Sequence, residues 1–574
     1  MSAPEHLHCD VLVVGSGAAG LATAVTAAHQ GLKVIVVEKE SQIGGTSAWS
    51  GGWLWIPGNP LAVAEGRVEN PGEVERYLQH ELHSEVLDDR VRAYLAHGPQ
   101  MVEFFEQHTQ LKFYSGSRMP DMHQAPGAAP GGRSLCAQPY DGRLLGPWLS
   151  KLREPLDLIS LGGMGIAGGA ELAHFFNATR SPRSAWYVGL RLLRHWRDRL
   201  LHGRGLHLVN GNALVARLLR SALDQGVQVL TQARVERLLQ AHGRVSGAQL
   251  NGGPQIHARR AVVLAAGGFP HDRRRIAEQF AHPEHCSAAP PGNTGDGLRL
   301  AEQAGAVIAT GLSNAAAWAP VSKVPRKDGS YSGFPHLMDR AKPGFIAVRA
   351  DGRRFTNEAD SYHDFMQALF RVTPTGETPE AWLICDQRAQ RRYGIGAARP
   401  FPFPTARHVR QGYLFKGRTL AELAQRCGIE ATALQASVAR FNLHAERGED
   451  PDYQRGASAY NRAQGEPLHA PNPSLGALTK GPYYAVKLVS GSLGTFVGVR
   501  TDASARALDS QGRVIEGLFA VGNDMASMMG GHYPSGGITL GPALTFGYIA
   551  GLAIALTGAG SAAPSRQSCR DDAA

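Results

Sequence analysis

Near the start of the chain, Gly15-Ser16-Gly17-Ala18-Ala19-Gly20 has the spacing GxGxxG, and the next apolar run closes on Glu38 and Lys39. Residues in this pattern serve a dinucleotide. Gly15 makes the tight turn, Gly17 lets backbone approach a pyrophosphate, and Gly20 lets a helix pack closely on a strand. The helix N-terminus offers free N–H groups and the positive end of its dipole to the phosphates, and Glu38 accepts hydrogen bonds from a ribose diol. At the other end of the chain Tyr533 stands in a glycine elbow, residues 530–537 reading Gly-Gly-His-Tyr-Pro-Ser-Gly-Gly, just ahead of a helix-like apolar run.

These residues need specific elements around them. Asp10 to Val14 reads as a buried strand, Leu21 to Gln30 as a helix ended by Gly31, and Leu32 to Val37 as a second strand. The GxGxxG turn therefore lies inside a βαβ unit with an acid at the end of the second strand. A lone GxGxxG is weak, but in this context it is a strong signal of a dinucleotide site.

The chain is 574 residues long, with 43% apolar and 19% charged residues, which predicts a globular protein of two or more domains. Its 69 glycines fall in short motifs between apolar runs, as in a protein with many tight turns. The net charge of +10 (59 Lys and Arg against 49 Asp and Glu) is spread along the chain. No dense basic tract with interleaved aromatics supports a nucleic-acid partner; such a surface suits anionic lipids or anionic substrates equally well. Cys9, Cys136, Cys286, Cys385, Cys427 and Cys569 form no CxxC pair and no cluster spacing, so no metal is expected. Their scatter fits a reducing compartment and predicts a cytoplasmic protein. No apolar run is long enough to span a membrane, and no internal repeat is found.

After the second strand come Gly44-Gly45-Thr46-Ser47 and Ser50-Gly51-Gly52, a small-residue loop able to lie against a flat ring system. This resembles the flavoprotein superfamily of fumarate reductases and 3-ketosteroid dehydrogenases, in which such a loop holds FAD near its isoalloxazine. The resemblance implies FAD as cofactor, bound non-covalently because no histidine stands near Gly45–Ser47. It recurs along the chain: Val235 where the family's backbone meets adenine, Ala266 and Gly267 at the end of a buried strand, Asp296 in Thr-Gly-Asp-Gly, and Asn523 after the last strand. A helix from about Pro542 is expected to aim its N-terminal end, with the N–H groups of Thr539 and Leu540, at the flavin's pyrimidine side. The implied fold is α/β: a Rossmann-type FAD-binding domain, discontinuous over 1–285 and 470–574, with an inserted α+β substrate (cap) domain at 286–469.

Within the superfamily the chain is most similar to the 3-ketosteroid dehydrogenases and cyclic-ketone desaturases. The His- and Arg-bearing segments that grip dicarboxylates are missing: Leu493, Gly494 and Phe496 occupy the first, and the elbow around Tyr533 the second. The family's Tyr-Pro-x-x-Gly stretch binds a carbonyl oxygen, which assigns Tyr533 and Gly537 to that task. Tyr362, following Arg354-Phe355-Thr356-Asn357-Glu358, is assigned the α-proton. Ser535 has two readings, a ketone-holding serine as in the related 4-ene (5α) enzymes, or a small turn residue. The family's supporting tyrosine in Pro-Asp-Tyr is replaced by Met122, with His123 beside it.

The activity so implied is FAD-dependent formation of a C=C bond next to the carbonyl of a 3-ketosteroid or a smaller cyclohexanone-type ring. The alternatives are a fumarate-reductase-like ene-reductase running in reverse and a non-catalytic flavin- or lipid-binding protein. Electrons must leave to an external acceptor, a quinone, another flavoprotein or oxygen. Residues 184–201, with Trp186, Tyr187 and Trp196, predict a basic amphipathic helix. It either packs on the FAD domain with a solvated basic face, the favoured reading, or touches a membrane surface or caps an apolar channel.

Overall fold

Strands His6–Val14, Val34–Glu38 and Gln255–Leu264 each contain an unbroken apolar run, Val11–Val14, Val34–Val37 and Ala261–Leu264, the pattern of strands buried on both faces. In the computed structural model, which describes residues 6–557, they form the centre of an eight-stranded sheet. Its main order is Arg506–Leu508, Val514–Ala520, Gln255–Leu264, His6–Val14, Val34–Glu38 and Gln228–Thr231, and the Val235–Ala241 and Arg244–Leu250 hairpin extends from Gln255–Leu264. Pairing is parallel at the centre, with Val11 opposite Val34 on one side and Ala261 on the other.

Helix Ala18–His29 follows the GxGxxG turn and is buried from Ala18 to Ala27. It crosses the C-terminal helix Leu540–Leu556 at close range. A Cβ added at Gly547 would lie 2.7 Å from the Ala19 carbonyl oxygen, and one at Gly551 would lie 2.6 Å from Thr26 Cβ. Buried on nearly all sides, the C-terminal helix carries apolar residues all round instead of on one stripe. It begins at Leu540, two residues before the expected Pro542. A proline in the first helical turn costs nothing, because those N–H groups have no intrahelical acceptor.

A second, seven-stranded sheet has the order Tyr331–Pro335, Ala316–Pro325, Tyr483–Thr495, Glu380–Cys385 and Phe345–Val348; Cys286–Ser287 and Phe415–Gly417 also pair with Tyr483–Thr495. Its long central strand lies beyond residue 470, in the span that the sequence reading gave to the FAD-binding domain. The chain leaves this sheet at Thr495. Helices Leu420–Cys427 and Ala431–Ala445 pack over it.

Among the described residues no helix is long and apolar enough to cross a membrane, and no group of His, Cys, Asp and Glu could hold a metal. Five cysteines are free thiols; Cys569 lies outside the described residues. Helix Pro182–His202 forms as expected. Arg191, His195 and Asp198 are buried, Arg191 against Glu171 at 2.7 Å, whereas Trp186 (71%), Trp196 (57%) and Leu200 (86%) are exposed. The outward face of this helix thus mixes large apolar side chains with the exposed Arg183, Arg194 and Arg197.

Candidate active site

One cavity of about 1480 Å³ runs between the two sheets. Every cofactor residue named from the sequence lines it except Gly20: Gly15 to Ala19, Glu38, Lys39, Thr46, Ser47, Gly51, Gly52, Val235, Ala266, Gly267, Asp296, Asn523, Thr539 and Leu540. Gly20 lies behind the turn, where a Cβ would overlap the Gly15 carbonyl oxygen, so it serves the packing of helix on strand. Gly15 holds φ +113°, and any side chain there would overlap the Ala265 carbonyl.

The donors fit a dinucleotide diphosphate. Among the described residues no protein acceptor takes the Gly17 or Ala19 N–H at the start of helix Ala18–His29, and such orphan donors are what a phosphate requires. Ser16 ties the loops together: its hydroxyl donates to Glu38 at 2.5 Å and accepts from the Gly44 N–H at 3.1 Å. Ser47 Oγ accepts from the Ala18 N–H at 3.0 Å. Asp296 is held by Lys39 and by Arg234 Nη2, at 3.0 Å from the latter.

Two further residues, unmarked by any motif, brace the cradle. Asn293 Nδ2 donates to Thr46 Oγ1 at 3.0 Å. Asp524 is fully buried and accepts from the N–H groups of Ala266 (2.5 Å) and Gly268 (2.9 Å). Burial nevertheless pushes its pKa up to about 6.

Farther along the same cavity the two phenols assigned from the sequence meet. Tyr362 Oη donates to Tyr533 Oη at 2.6 Å, with the rings edge-to-face at 5.2 Å. Burial raises both pKa values, Tyr533 to about 12 despite the Tyr362 hydrogen bond, and Tyr362 well above its ordinary 10. Tyr362 is the first residue of helix Tyr362–Val372, which is capped by the Ser361 hydroxyl on the Asp364 N–H. Its ring therefore sits at the positive end of a helix dipole, a field that favours the phenolate.

The Tyr533 elbow is pinned from outside, since the Pro534 carbonyl accepts from Tyr77 Oη at 2.5 Å and from the Met122 N–H at 3.4 Å. Gly537 has φ +108°, and a Cβ there would lie 2.7 Å from the Trp55 nitrogen. Only glycine fits. Among the described residues the Gly537 N–H has no acceptor.

Ser535 departs from its expected catalytic place. It is buried, does not line the cavity, and turns its hydroxyl toward Asp121, which also pairs with Arg133 Nη1 at 2.6 Å and Trp55 Nε1 at 2.8 Å. A buried carboxylate draws in every near donor, so of the two readings the turn residue stands.

The family's Pro-Asp-Tyr position is filled by Met122. Met122 faces the cavity, whereas His123 does not; its Nε2 binds Asp364 at 2.8 Å and its Nδ1 binds Glu81. Burial opposes charge on that ring, yet these two carboxylates raise its pKa to about 11. A third phenol, Tyr460 of helix Ala459–Gln464, lines the cavity close enough to raise the pKa of Tyr362. Nothing in the sequence around Tyr460 marks it.

A sequence profile for the FAD binding domain matches residues 10–540. The chain belongs to the FAD binding domain family. Its cofactor is FAD, consistent with the diphosphate cradle above. Full-length relatives narrow the family further. The 4-oxocyclohex-2-ene-1-carboxylate 5-dehydrogenase of Sinomonas cyclohexanicum is 40% identical over 95% of this chain and 94% of its own length. The 3-oxosteroid 1-dehydrogenase of Mycolicibacterium smegmatis is 37% identical over 96% and 98%. Among solved structures, 3-ketosteroid delta1-dehydrogenase from Sterolibacterium denitrificans in complex with 1,4-androstadiene-3,17-dione superposes with a TM-score of 0.87, at 36% identity, over 96% of this chain and all of that one. The fold of this flavoprotein is that of an FAD-dependent dehydrogenase.

Proposed function

We propose that this flavoprotein introduces a C=C bond next to the carbonyl of a six-membered ring ketone, either free-standing or the A ring of a steroid. The observation that carries the reading is the phenol pair: two buried hydroxyls 2.6 Å apart, one of them four residues from an unbonded N–H in a left-handed glycine. With both phenols protonated Tyr533 accepts from Tyr362, and the Tyr533 hydroxyl is the donor offered to the ketone oxygen. With the Gly537 N–H it forms an oxyanion hole for the developing enolate. Tyr362 removes the α-proton; Tyr460 and the start of helix Tyr362–Val372 position it and bias its charge. FAD, when bound, supplies the acceptor for the β-hydrogen and its electron pair. The substrate thereby loses one proton and one hydride, and the C=C bond forms in conjugation with the carbonyl. An external acceptor (a quinone, a flavoprotein or oxygen) takes the electrons on. The names of the relatives, which include both 3-oxosteroid and 4-oxocyclohexene carboxylate dehydrogenases, support this substrate range.

Anaerobic titration of the yellow protein with cyclohexanone and with androstenedione tests the reading. Bleaching of the flavin by at least one of them is expected, whereas a flavin inert to every ring ketone would sink the desaturase.

The exposed face of helix Pro182–His202 supports peripheral contact with a membrane. Ala185, Val188 and Leu192 of this helix line the cavity, while Trp186, Leu193, Trp196 and Leu200 face outward with Arg194 and Arg197 among them. Tryptophan, leucine and arginine together suit the headgroup boundary. The protein should co-sediment with phosphatidylglycerol vesicles, and Trp186→Ser with Trp196→Ser should release most of it. Equal sedimentation of the double variant would count against this contact.

A further inference from the structure

We propose that His123 is a positioning residue, a clamp that keeps the helix bearing Tyr362 in register with the elbow bearing Tyr533. The inference rests on the desaturase reading and deepens it by naming what holds its two phenols together.

The two phenols belong to different parts of the fold. Tyr362 opens helix Tyr362–Val372, which packs on strand Ala316–Pro325 of the seven-stranded sheet. Tyr533 stands before helix Leu540–Leu556, which packs on helix Ala18–His29. Among the described residues, helix Tyr362–Val372 is joined to the elbow and the segments that pin it by the bond between the phenols and by one other, His123 Nε2 to Asp364 at 2.8 Å. The bond between the phenols cannot serve as the brace. Once deprotonated to act as base, Tyr362 has no hydrogen left to give Tyr533, so that bond changes in every turnover. The spacing must be kept by groups that take no part in the chemistry.

The tripeptide Asp121-Met122-His123 reaches the neighbours of both phenols. Asp121, fixed by Trp55 and Arg133, takes the Ser535 hydroxyl, and the Met122 N–H donates to the Pro534 carbonyl at 3.4 Å. His123 then crosses to Asp364, two residues after Tyr362 in the first turn of its helix. Asp364 Oδ2 also accepts from the Ser361 hydroxyl at 2.6 Å, and Ser361 caps the same turn. A shift of Asp364 therefore moves the turn that carries the base.

The other nitrogen of the ring, Nδ1, binds Glu81 at the end of helix Pro71–Glu81, and Tyr77 of that helix donates to the Pro534 carbonyl at 2.5 Å. Ionised carboxylates only accept, so an imidazole bridging two of them carries hydrogen on both nitrogens and a positive charge. Its pKa, raised to about 11 by these partners, agrees. Charge-assisted bonds are short and roughly twice as strong as neutral ones, which suits a clamp. Small errors here are expensive, since a misplacement of about 1 Å can cost a reacting pair roughly 10²-fold in rate.

The test measures anaerobic flavin reduction in the holoenzyme by whichever of cyclohexanone and androstenedione bleaches it. His123→Ala should lower the limiting reduction rate by roughly 10–100-fold with little change in ketone affinity, and His123→Arg, charged and with donors to spare, should restore part of it. Asp364→Ala breaks the clamp from its other end, at a partly exposed helical position that tolerates alanine. It should show the same loss, and it decides the matter if the His123 variant fails to hold FAD. In the double variant the two losses should not add, because both remove one bond. In a Tyr362→Phe background, where no base is left to position, either loss should shrink to below about twofold; general damage to the site would persist there. Wild-type rates in both single variants, an undiminished loss in the Tyr362→Phe background, or a loss confined to ketone affinity would overturn the proposal and leave desaturation intact. A wild-type flavin inert to both ketones would end the desaturase reading and the clamp with it.

Discussion

Tyr533→Phe should lower the rate of flavin reduction by ring ketone by roughly 10²–10³-fold, the cost of removing one donor from an oxyanion hole. The phenol ring is held by the Tyr362, His363 and Phe496 rings at 5.2, 5.4 and 6.2 Å, so phenylalanine keeps the packing and loses only the hydroxyl. The enolate oxygen carries far more charge than the ketone oxygen, so the lost bond is worth most in the transition state. The loss should therefore fall on the limiting reduction rate, with a small change in substrate affinity. FAD should stay bound, because the cradle of Gly15 to Ala19 does not touch this elbow. Stopped-flow absorbance of the variant decides the point: a loss below about tenfold would remove Tyr533 from the oxyanion hole.

Tyr362→Phe should be comparably severe, at roughly 10²–10⁴-fold for the removal of a general base. Its second signature lies in the pH profile. A base must be deprotonated to work, and burial holds the Tyr362 phenol well above its ordinary value. Wild-type reduction should therefore accelerate steadily from pH 7 to pH 10 without a plateau, and the residual rate of Tyr362→Phe should lose that slope. A wild-type profile that levels off near neutrality would point to a different base. His123 does not line the cavity, and its Asp364 and Glu81 partners draw its pKa up to about 11.

The parts of this site that were legible in the sequence are those encoded locally. GxGxxG, the acid at Glu38 and the Tyr-Pro-x-x-Gly elbow are contiguous, and each glycine is demanded by its own backbone, as Gly15 and Gly537 illustrate. Convergent residues were hidden. Tyr460 comes from a segment about a hundred residues from Tyr362, and only the fold brings both to the same cavity. Ser535 misled because a serine beside a catalytic tyrosine looks functional until the buried charge of Asp121 is seen behind it.

For helix Pro182–His202 the amphipathic period was readable, but not which stripe turns inward. Glu171 decides that by drawing Arg191 to the buried side. The sheet that receives Tyr483–Thr495 was hidden for a similar reason. Tyr483–Thr495 reads as a buried strand whichever sheet receives it, and its partners lie more than a hundred residues upstream in the chain at Glu380–Cys385 and Ala316–Pro325.

The central claim is that one α-proton and one β-hydride leave the same ring ketone. The most direct measurement is the deuterium content of the product after a single anaerobic turnover with cyclohexanone-type substrate labelled at the α carbons or at the β carbons. The account predicts an enone that has lost one α-deuterium to solvent and one β-deuterium to the flavin, with a primary isotope effect on reduction from the β label. Unsaturated product with no β-deuterium lost, or exchange at the α carbon with no reduction of the flavin, would contradict it.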